Sequence, residues 1–169
     1  MPSAIETFSQ HIERGFDDQN NLHIRTGTAL HEQYIAANVE AIRAQHRILP
    51  DVIIGVSGRT NDAARVTAET LDSGAFGLYS AVDTTGKLFL PKLTKEYIET
   101  RKPDAIVILD DIGLVGTSAA QIAQQLRECG GAVDADIRVV YALIPEGTLS
   151  QLDAVHIDYA SVINPAHEQ

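Results

Sequence analysis

Cysteine is nearly absent from this sequence, since Cys129 is the single one among 169 residues. One cysteine cannot form an internal disulfide, so the chain is not a small disulfide-stabilised scaffold. Its position near a predicted helix end favours a packing role over a nucleophilic one. The six histidines are not grouped with Cys, Asp or Glu at a metal-ligand spacing, which argues against a structural zinc site.

Basic residues are also scarce. There are 13 lysines and arginines against 23 aspartates and glutamates, which gives a formal net charge of −10. A nucleic-acid-binding surface needs a basic face, so the composition argues against nucleic acid as a partner. A small phosphorylated ligand is still compatible with this charge, because helix N-termini and a bound divalent cation supply local positive potential.

Long apolar runs are missing as well. No stretch approaches the roughly 20 residues of a membrane span, and residues 1–19 contain acidic residues but no apolar core of a signal peptide. We therefore expect no membrane contact and a cytoplasmic location. The apolar content of 44% and the charged content of 21% are ordinary for a globular protein, and the length suits a single domain.

The most informative stretch begins with residues 105–109, which are apolar and mostly β-branched. This pattern is typical of a central parallel strand that is covered on both faces. Asp110 and Asp111 follow directly, and ligands of open α/β sheets bind just beyond the carboxyl ends of the strands. A solvated turn is the alternative interpretation of the acid pair. A receiver-type phosphoacceptor is a weaker one, because such a pair is expected after an early strand.

A glycine-containing turn then leads into a predicted helix. Gly113 and Gly116 let the backbone come close to a ligand. Ser118 and Gln121 have the spacing of a capping box, and the apolar positions that follow recur with helical periodicity. The start of this helix, with its free N–H groups and positive dipole end, is a predicted phosphate site.

A second unit of strand, turn and helix lies upstream. Residues 52–56 are predicted to form a buried strand, residues 57–60 a turn, and residues 61–71 a helix. The turn contains Arg59, whose guanidinium can bind a phosphate through two hydrogen bonds. The alternative is that Arg59 is a surface residue in an ordinary turn. Two such units in one small chain favour a ligand with two phosphate groups.

The central segment resembles the ribose-5-phosphate signature of the type I phosphoribosyltransferases, in which an apolar strand, two acidic residues and a Thr-Gly-x-Thr/Ser loop precede a helix. The resemblance implies that Asp110 and Asp111 are the catalytic pair, which holds the ribose hydroxyls of phosphoribosyl pyrophosphate (PRPP) and a nearby Mg²⁺. It implies that the 5-phosphate is bound by Val115, Gly116, Thr117 and Ser118. Val115 departs from the pattern, because most members carry a hydroxyl-bearing residue at this position.

The same resemblance extends to two further segments. It implies a pyrophosphate-binding loop formed by Ser57, Gly58, Arg59 and Thr60. It also makes Lys87 and Lys92 candidates for a loop that closes over the leaving group, although most of residues 91–102 are expected to form a solvated loop and helix. The Arg-Lys-x-x-Lys stretch of many orotate enzymes is absent.

The N-terminal segment is similar to the hood of orotate phosphoribosyltransferases, the members nearest in layout. Arg25, Thr26 and Gly27 match a turn of the hood, and Tyr34 matches a tyrosine that follows it. We therefore expect one domain over residues 1–169, with the hood and N-terminal helices in residues 1–49 and the core in residues 50–169.

The expected fold is an α/β, phosphoribosyltransferase-type (Rossmann-like), three-layer domain with a five-stranded central parallel sheet and a small N-terminal hood. Residues 4–14 and 29–48 are predicted helices, and residues 137–144 and 155–163 are predicted strands. Residues 82–87 are predicted to form a hairpin turn between strands 75–80 and 88–90.

The implied function is that of a pentosyltransferase in nucleotide biosynthesis or salvage. It joins a nucleobase, with orotate or another pyrimidine as the first candidate, to Mg²⁺-bound PRPP and releases pyrophosphate. The family also implies a homodimer. A non-catalytic sensor of PRPP or a nucleotide is the alternative within the same fold, and an unrelated nucleotide-binding α/β domain is the third.

Overall fold

The computed structural model describes residues 2–15, 29–45, 49–56, 58–71, 74–113, 116–144 and 148–163. None of the helices in these ranges is both long and apolar enough to cross a membrane. The helices are α1 (Ala4–Gly15), α2 (Ala29–Gln45), α3 (Gly58–Leu71), α4 (Lys92–Arg101), α5 (Thr117–Glu128) and α6 (Ser150–Ala154). The strands are β1 (Val52–Gly55), β2 (Phe76–Tyr79), β3 (Ala81–Val82), β4 (Leu88–Phe89), β5 (Ala105–Ile112), β6 (Asp136–Leu143) and β7 (Asp158–Ile163).

Five of these strands form one parallel sheet in the order β2-β1-β5-β6-β7. The predicted five-stranded parallel sheet is thus confirmed. The predicted hairpin is wrong in one respect, because residues 75–80 do not supply its first strand. β2 instead pairs with β1 in the main sheet, and the antiparallel hairpin joins β3 to β4. Residues 75–80 have a mixed apolar and polar pattern, and this pattern is the same for a strand at the edge of a sheet and for a strand of a hairpin.

Alternate residues of the strands contribute to two separate cores. Ile53, Val107 and Leu109 pack with residues of α1, α2 and α3 on one face. Ile54 and Ile108 pack with residues of α4, α5 and α6 on the other. The sheet therefore lies between two helical layers. Residues 52–55 of β1 and 105–109 of β5 are apolar at every position, because these central strands are covered on both faces.

The described part of the N-terminal segment consists of α1 and α2. Phe8 of α1 and Ile42 of α2 are both completely buried in the core shared with Ile53. These two helices therefore belong to the layer that covers the sheet. The turn proposed for the hood, with Arg25, Thr26 and Gly27, lies outside the described residues, so the hood stays a prediction.

Gly55, the last residue of β1, is expected to tolerate no side chain. A Cβ atom here would overlap the carbonyl of Thr60 and lie 2.5 Å from the backbone nitrogen of Asn61. Gly55→Ala should lower the free energy of unfolding by about 1–3 kcal/mol or more, because backbone atoms cannot rotate away. Urea denaturation measures the difference. Gly130→Ala is the control, since a Cβ there meets nothing within 4 Å. Equal stability of the two variants would contradict the close approach.

Candidate functional site

The strand order changes direction between β1 and β5. From β1 the chain continues to β2 on one side, whereas β5 is followed by β6 on the other. Gly55 pairs with Leu109, and the N–H of Val56 donates to the Leu109 carbonyl over 3.0 Å. The two segments that were predicted to bind anions therefore leave the sheet side by side, at the crevice where ligands bind in open α/β sheets.

The opposite end of the same strand pair is also tied together. Asp51 precedes β1, and its carboxylate accepts hydrogen bonds from the N–H groups of Asp104 at 2.8 Å and Ala105 at 3.2 Å. Its own N–H donates to the Ala105 carbonyl over 2.9 Å. The β1–β5 pair is thus held at both ends, which sets its register.

The acid pair lies within the last residues of β5, because this strand continues to Ile112. Asp110 pairs with Tyr141 of β6, and both carboxylates are partly buried. The N–H of Asp111 donates to the Asp110 Oδ1 atom over 2.8 Å. The pair is therefore placed by the sheet itself rather than by the following turn.

The two carboxylates repel each other in a partly desolvated position. Burial, and after it the charge of Asp111, raises the pKa of Asp110 well above the usual range, while the hydrogen bond from the Asp111 N–H acts in the opposite direction. Burial and the nearby Asp110 also raise the pKa of the Tyr141 hydroxyl. A ligand that brings hydroxyl donors or a cation would relieve this repulsion.

Tyr34 of α2 reaches the acid pair from the core shared with α1 and α3. It is 1% exposed, its ring packs against Phe8 with centroids 5.5 Å apart, and its hydroxyl donates to the Asp110 carbonyl over 3.1 Å. Burial and then the charge of Asp111 raise the pKa of this hydroxyl. The family resemblance linked Tyr34 only to the hood, and sequence reasoning missed its hydrogen bond to Asp110. The available signal was the position of Tyr34 beside an apolar helical face, because a buried tyrosine hydroxyl needs a hydrogen-bond partner.

The predicted 5-phosphate segment leads into α5 at Thr117. Gly116 precedes the helix with a φ of 87°, and no side chain caps the helix among the described residues. The predicted Ser118–Gln121 capping box is therefore wrong, because Gly116 rather than Ser118 precedes the helix, which begins two residues earlier than the box requires. Thr117 is exposed and Ser118 is half-buried at this helix start.

This helix start has the features of an anion site. The first intrahelical bond runs from the N–H of Ala120 to the Gly116 carbonyl over 2.9 Å. The N–H groups of residues 117–119 therefore precede the internal hydrogen bonds and point out of the helix end. Gly116, Thr117 and Ser118 all lie at this end, whereas Val115 lies outside the described residues.

The upstream turn is shorter than predicted, because α3 begins at Gly58 rather than at residue 61. The buried Thr60 hydroxyl donates to the Val56 carbonyl over 2.8 Å, so it holds the helix to β1. Ser57 lies outside the described residues, and only the backbone of Gly58 and Arg59 is described. Their contribution to pyrophosphate binding stays a prediction.

The beginning of α3 is also fastened to the end of β2. The Asn61 side chain donates to the Ser80 carbonyl over 3.0 Å and accepts the Ser80 N–H over 3.1 Å. The Ser80 hydroxyl in turn donates to the Gly55 carbonyl over 2.7 Å. Three consecutive elements therefore converge on the same end of the sheet.

The two lysines proposed for a closing loop lie in short, regular structure. Lys87 ends the β3–β4 turn, where the Asp83 carboxylate accepts the N–H and hydroxyl of Thr85 and the N–H of Lys87 over 2.6–3.0 Å. The bond from the Thr85 hydroxyl is the main reason that the pKa of Asp83 is lowered. Lys92 begins α4, 3.8 Å from Glu96. Residues 81–101 thus form a tight hairpin and a helix, without a long loop.

The donor set at the crevice suits a metal ion that arrives with a phosphorylated ligand. Across the described ranges, no three His, Cys, Asp or Glu residues are grouped closely enough to hold a metal by themselves. Asp110 and Asp111 offer two carboxylates. Mg²⁺ is commonly bound by one or two carboxylates together with substrate phosphates, so this pair fits it.

The fold matches those of several solved phosphoribosyltransferases. Adenine phosphoribosyltransferase from Saccharomyces cerevisiae aligns with a TM-score of 0.61 at 15% identity, covering 93% of this chain and 99% of that one. Orotate phosphoribosyltransferase from Aeropyrum pernix gives 0.58 at 16% identity, with coverage of 95% and 94%. The orotate enzyme from Francisella tularensis gives 0.58 at 11% identity, with coverage of 96% and 84%.

Comparisons at the level of sequence add nothing to this result. No protein-family model matches the sequence, and no curated protein matches it. The structural likeness therefore establishes the fold, which is that of the type I phosphoribosyltransferases.

Proposed function

We propose that this protein is a phosphoribosyltransferase, which joins a nucleobase to PRPP and releases pyrophosphate. The observation that carries the proposal is the position of the acid pair. Asp110 and Asp111 lie at the crevice between β1 and β5, with the α3 start following one strand and the α5 start following the other. In PRPP the ribose hydroxyls lie between the 5-phosphate and the pyrophosphate, so the order of groups in the ligand matches the order of sites.

Each part of the crevice has one role in this proposal. Asp110 and Asp111 accept hydrogen bonds from the ribose hydroxyls and hold Mg²⁺. The α5 start, with Gly116, Thr117 and Ser118, binds the 5-phosphate through backbone N–H groups. Residues 57–60, including Arg59, bind the pyrophosphate. Mg²⁺, when bound, supplies positive charge that neutralises the leaving pyrophosphate.

The reaction forms a bond between a base nitrogen and the anomeric carbon while the bond from that carbon to pyrophosphate breaks. Positive charge develops on the ribose in the transition state. The chain assists by fixing the ribose against the end of β5 and by placing negative carboxylates near the developing charge.

Calorimetric titration with PRPP in the presence of Mg²⁺ tests the ligand class. We expect PRPP to bind, and to bind more tightly than ATP, because ATP lacks a phosphate on the 5 position separate from the pyrophosphate group. Titrations without Mg²⁺ serve as the control and should show weaker binding. An absence of PRPP binding, or tighter binding of ATP, would instead support the unrelated nucleotide-binding domain.

A pyrophosphate-release assay over a panel of bases tests turnover. The panel includes both adenine and orotate, since enzymes named for each of these bases share the fold. Release that depends on one added base establishes the transferase and identifies its acceptor.

A non-catalytic PRPP sensor is the second candidate, and the β3–β4 hairpin favours it. The turn between the two strands is closed by hydrogen bonds to Asp83 and includes Lys87, so this segment offers no extended loop to cover a leaving group. Binding of PRPP without pyrophosphate release on any base would establish the sensor.

A further inference from the structure

The last residues of β5 lose a neighbouring strand on one side. The register between β1 and β5 ends at Gly55 and Leu109, whereas pairing with β6 continues to Ile112. The N–H of Asp111 donates to the side chain of Asp110. Among the described strands, the pairing of the acid-pair segment is with β6.

Tyr34 provides a contact from outside the sheet at this point. Its hydroxyl donates to the Asp110 carbonyl over 3.1 Å, across a separation of 76 residues. The side chain is 1% exposed and its ring packs on Phe8, which restricts its rotation.

We propose that Tyr34 is a positioning residue, which holds the Asp110–Asp111 backbone at the angle needed to receive the ribose hydroxyls. Because Tyr34 is buried among α1, α2 and the sheet, it acts on the ligand through the acid pair. It is a link between the N-terminal helices and the site. The proposal rests on the proposed function only for the identity of the ligand.

Tyr34→Phe tests this proposal, because it removes the hydroxyl and keeps the ring. Thr94→Val is the matched control. The Thr94 hydroxyl is also 1% exposed and donates to a strand-end carbonyl, that of Tyr79 in β2, over 2.9 Å. Both variants therefore lose a bond from a buried hydroxyl to a strand-end carbonyl, but only Tyr34→Phe loses it at the acid pair.

The readout is the ratio of two dissociation constants, one for PRPP with Mg²⁺ and one for pyrophosphate alone without Mg²⁺. Pyrophosphate without Mg²⁺ brings neither the ribose nor the metal that the acid pair would hold, so its binding does not depend on how the acid pair is placed. Tyr34→Phe should weaken PRPP binding by about 3- to 10-fold and leave pyrophosphate binding unchanged. Thr94→Val should leave the ratio as in the wild type. A purely structural loss would weaken both ligands together.

Amide hydrogen exchange without ligand gives a second readout. In Tyr34→Phe, residues 110–113 should exchange about 3- to 10-fold faster than in Thr94→Val. An unchanged ratio of dissociation constants together with unchanged exchange overturns the role of Tyr34. If wild-type protein fails to bind PRPP, the proposed function is lost, but the exchange result still decides whether Tyr34 holds the pair.

Discussion

Replacing both Asp110 and Asp111 by asparagine is expected to weaken PRPP binding in the presence of Mg²⁺ by roughly 100- to 10,000-fold. Hydrogen bonds to charged groups contribute about 1.5–3 kcal/mol each, and every 1.4 kcal/mol corresponds to a factor of ten. Asparagine keeps the size of each side chain but removes the charge that holds Mg²⁺. Titration calorimetry measures the change directly.

The single variant Asp110→Asn should at the same time stabilise the protein at neutral pH without Mg²⁺. The folded state raises the pKa of Asp110 through burial and repulsion from Asp111, so the folded chain holds this proton more tightly than the unfolded chain. Stability is therefore lost as pH rises from the ordinary aspartate pKa of about 4 through the raised folded pKa. Thermal unfolding should show a gain for Asp110→Asn that disappears below that window.

Asp134→Asn with Asp158→Asn is the charge-matched control for the double variant. Both residues are exposed, and they lie before β6 and at the start of β7, at the end of the sheet opposite the crevice. This control should bind PRPP as the wild type does. If the acid-pair variant and the control bind PRPP with equal affinity, the binding site does not lie at the ends of β1 and β5.

Gly116→Ala should have the second large effect, and it acts on both stability and binding. Gly116 has a φ of 87°, and a Cβ atom would lie 2.9 Å from the Leu152 Cγ atom. The left-handed backbone costs about 1–2 kcal/mol for a residue with a side chain, and the overlap adds about 1–3 kcal/mol. Leu152 is completely buried, so it cannot move aside into solvent.

Gly86→Ala separates these two contributions. Gly86 has a φ of 85°, but a Cβ there meets nothing within 4 Å. Urea denaturation should show the backbone cost in both variants and the steric cost in Gly116→Ala alone. A displaced helix start should also cost Gly116→Ala roughly 10- to 100-fold in PRPP affinity, if one amide-to-phosphate bond is lost. Equal destabilisation by the two substitutions would contradict the packing of Gly116 on α6.

The sheet was predictable because the residue pattern of its central strands is visible within each strand. Residues 105–109 are apolar at every position, and a strand buried on both faces requires this. The acid pair and the glycines after it marked the crevice because they follow the apolar run, although β5 itself continues through the pair to Ile112. These features are local, and local patterns can be recognised in a single sequence.

The contacts that complete the site were not local. Tyr34 bonds to a carbonyl 76 residues away, and no spacing in the sequence indicates that distance. The start of α3 was placed too late because Gly58 and Arg59 resemble a loop, whereas the bond from the Thr60 hydroxyl to Val56 stabilises helix there. Ser118 matched a capping pattern, but the helix starts before it, directly after Gly116, whose left-handed backbone forms the turn.

The attachment of β1 to β5 at both ends sets the spacing between these two strands. Asp51 joins the pair at one end, and the bond from the Val56 N–H to the Leu109 carbonyl joins it at the other. If one anionic group of a ligand is bound after each strand, this spacing also sets the distance between the two groups. We therefore expect the protein to discriminate between ligands by the distance between their two anionic groups.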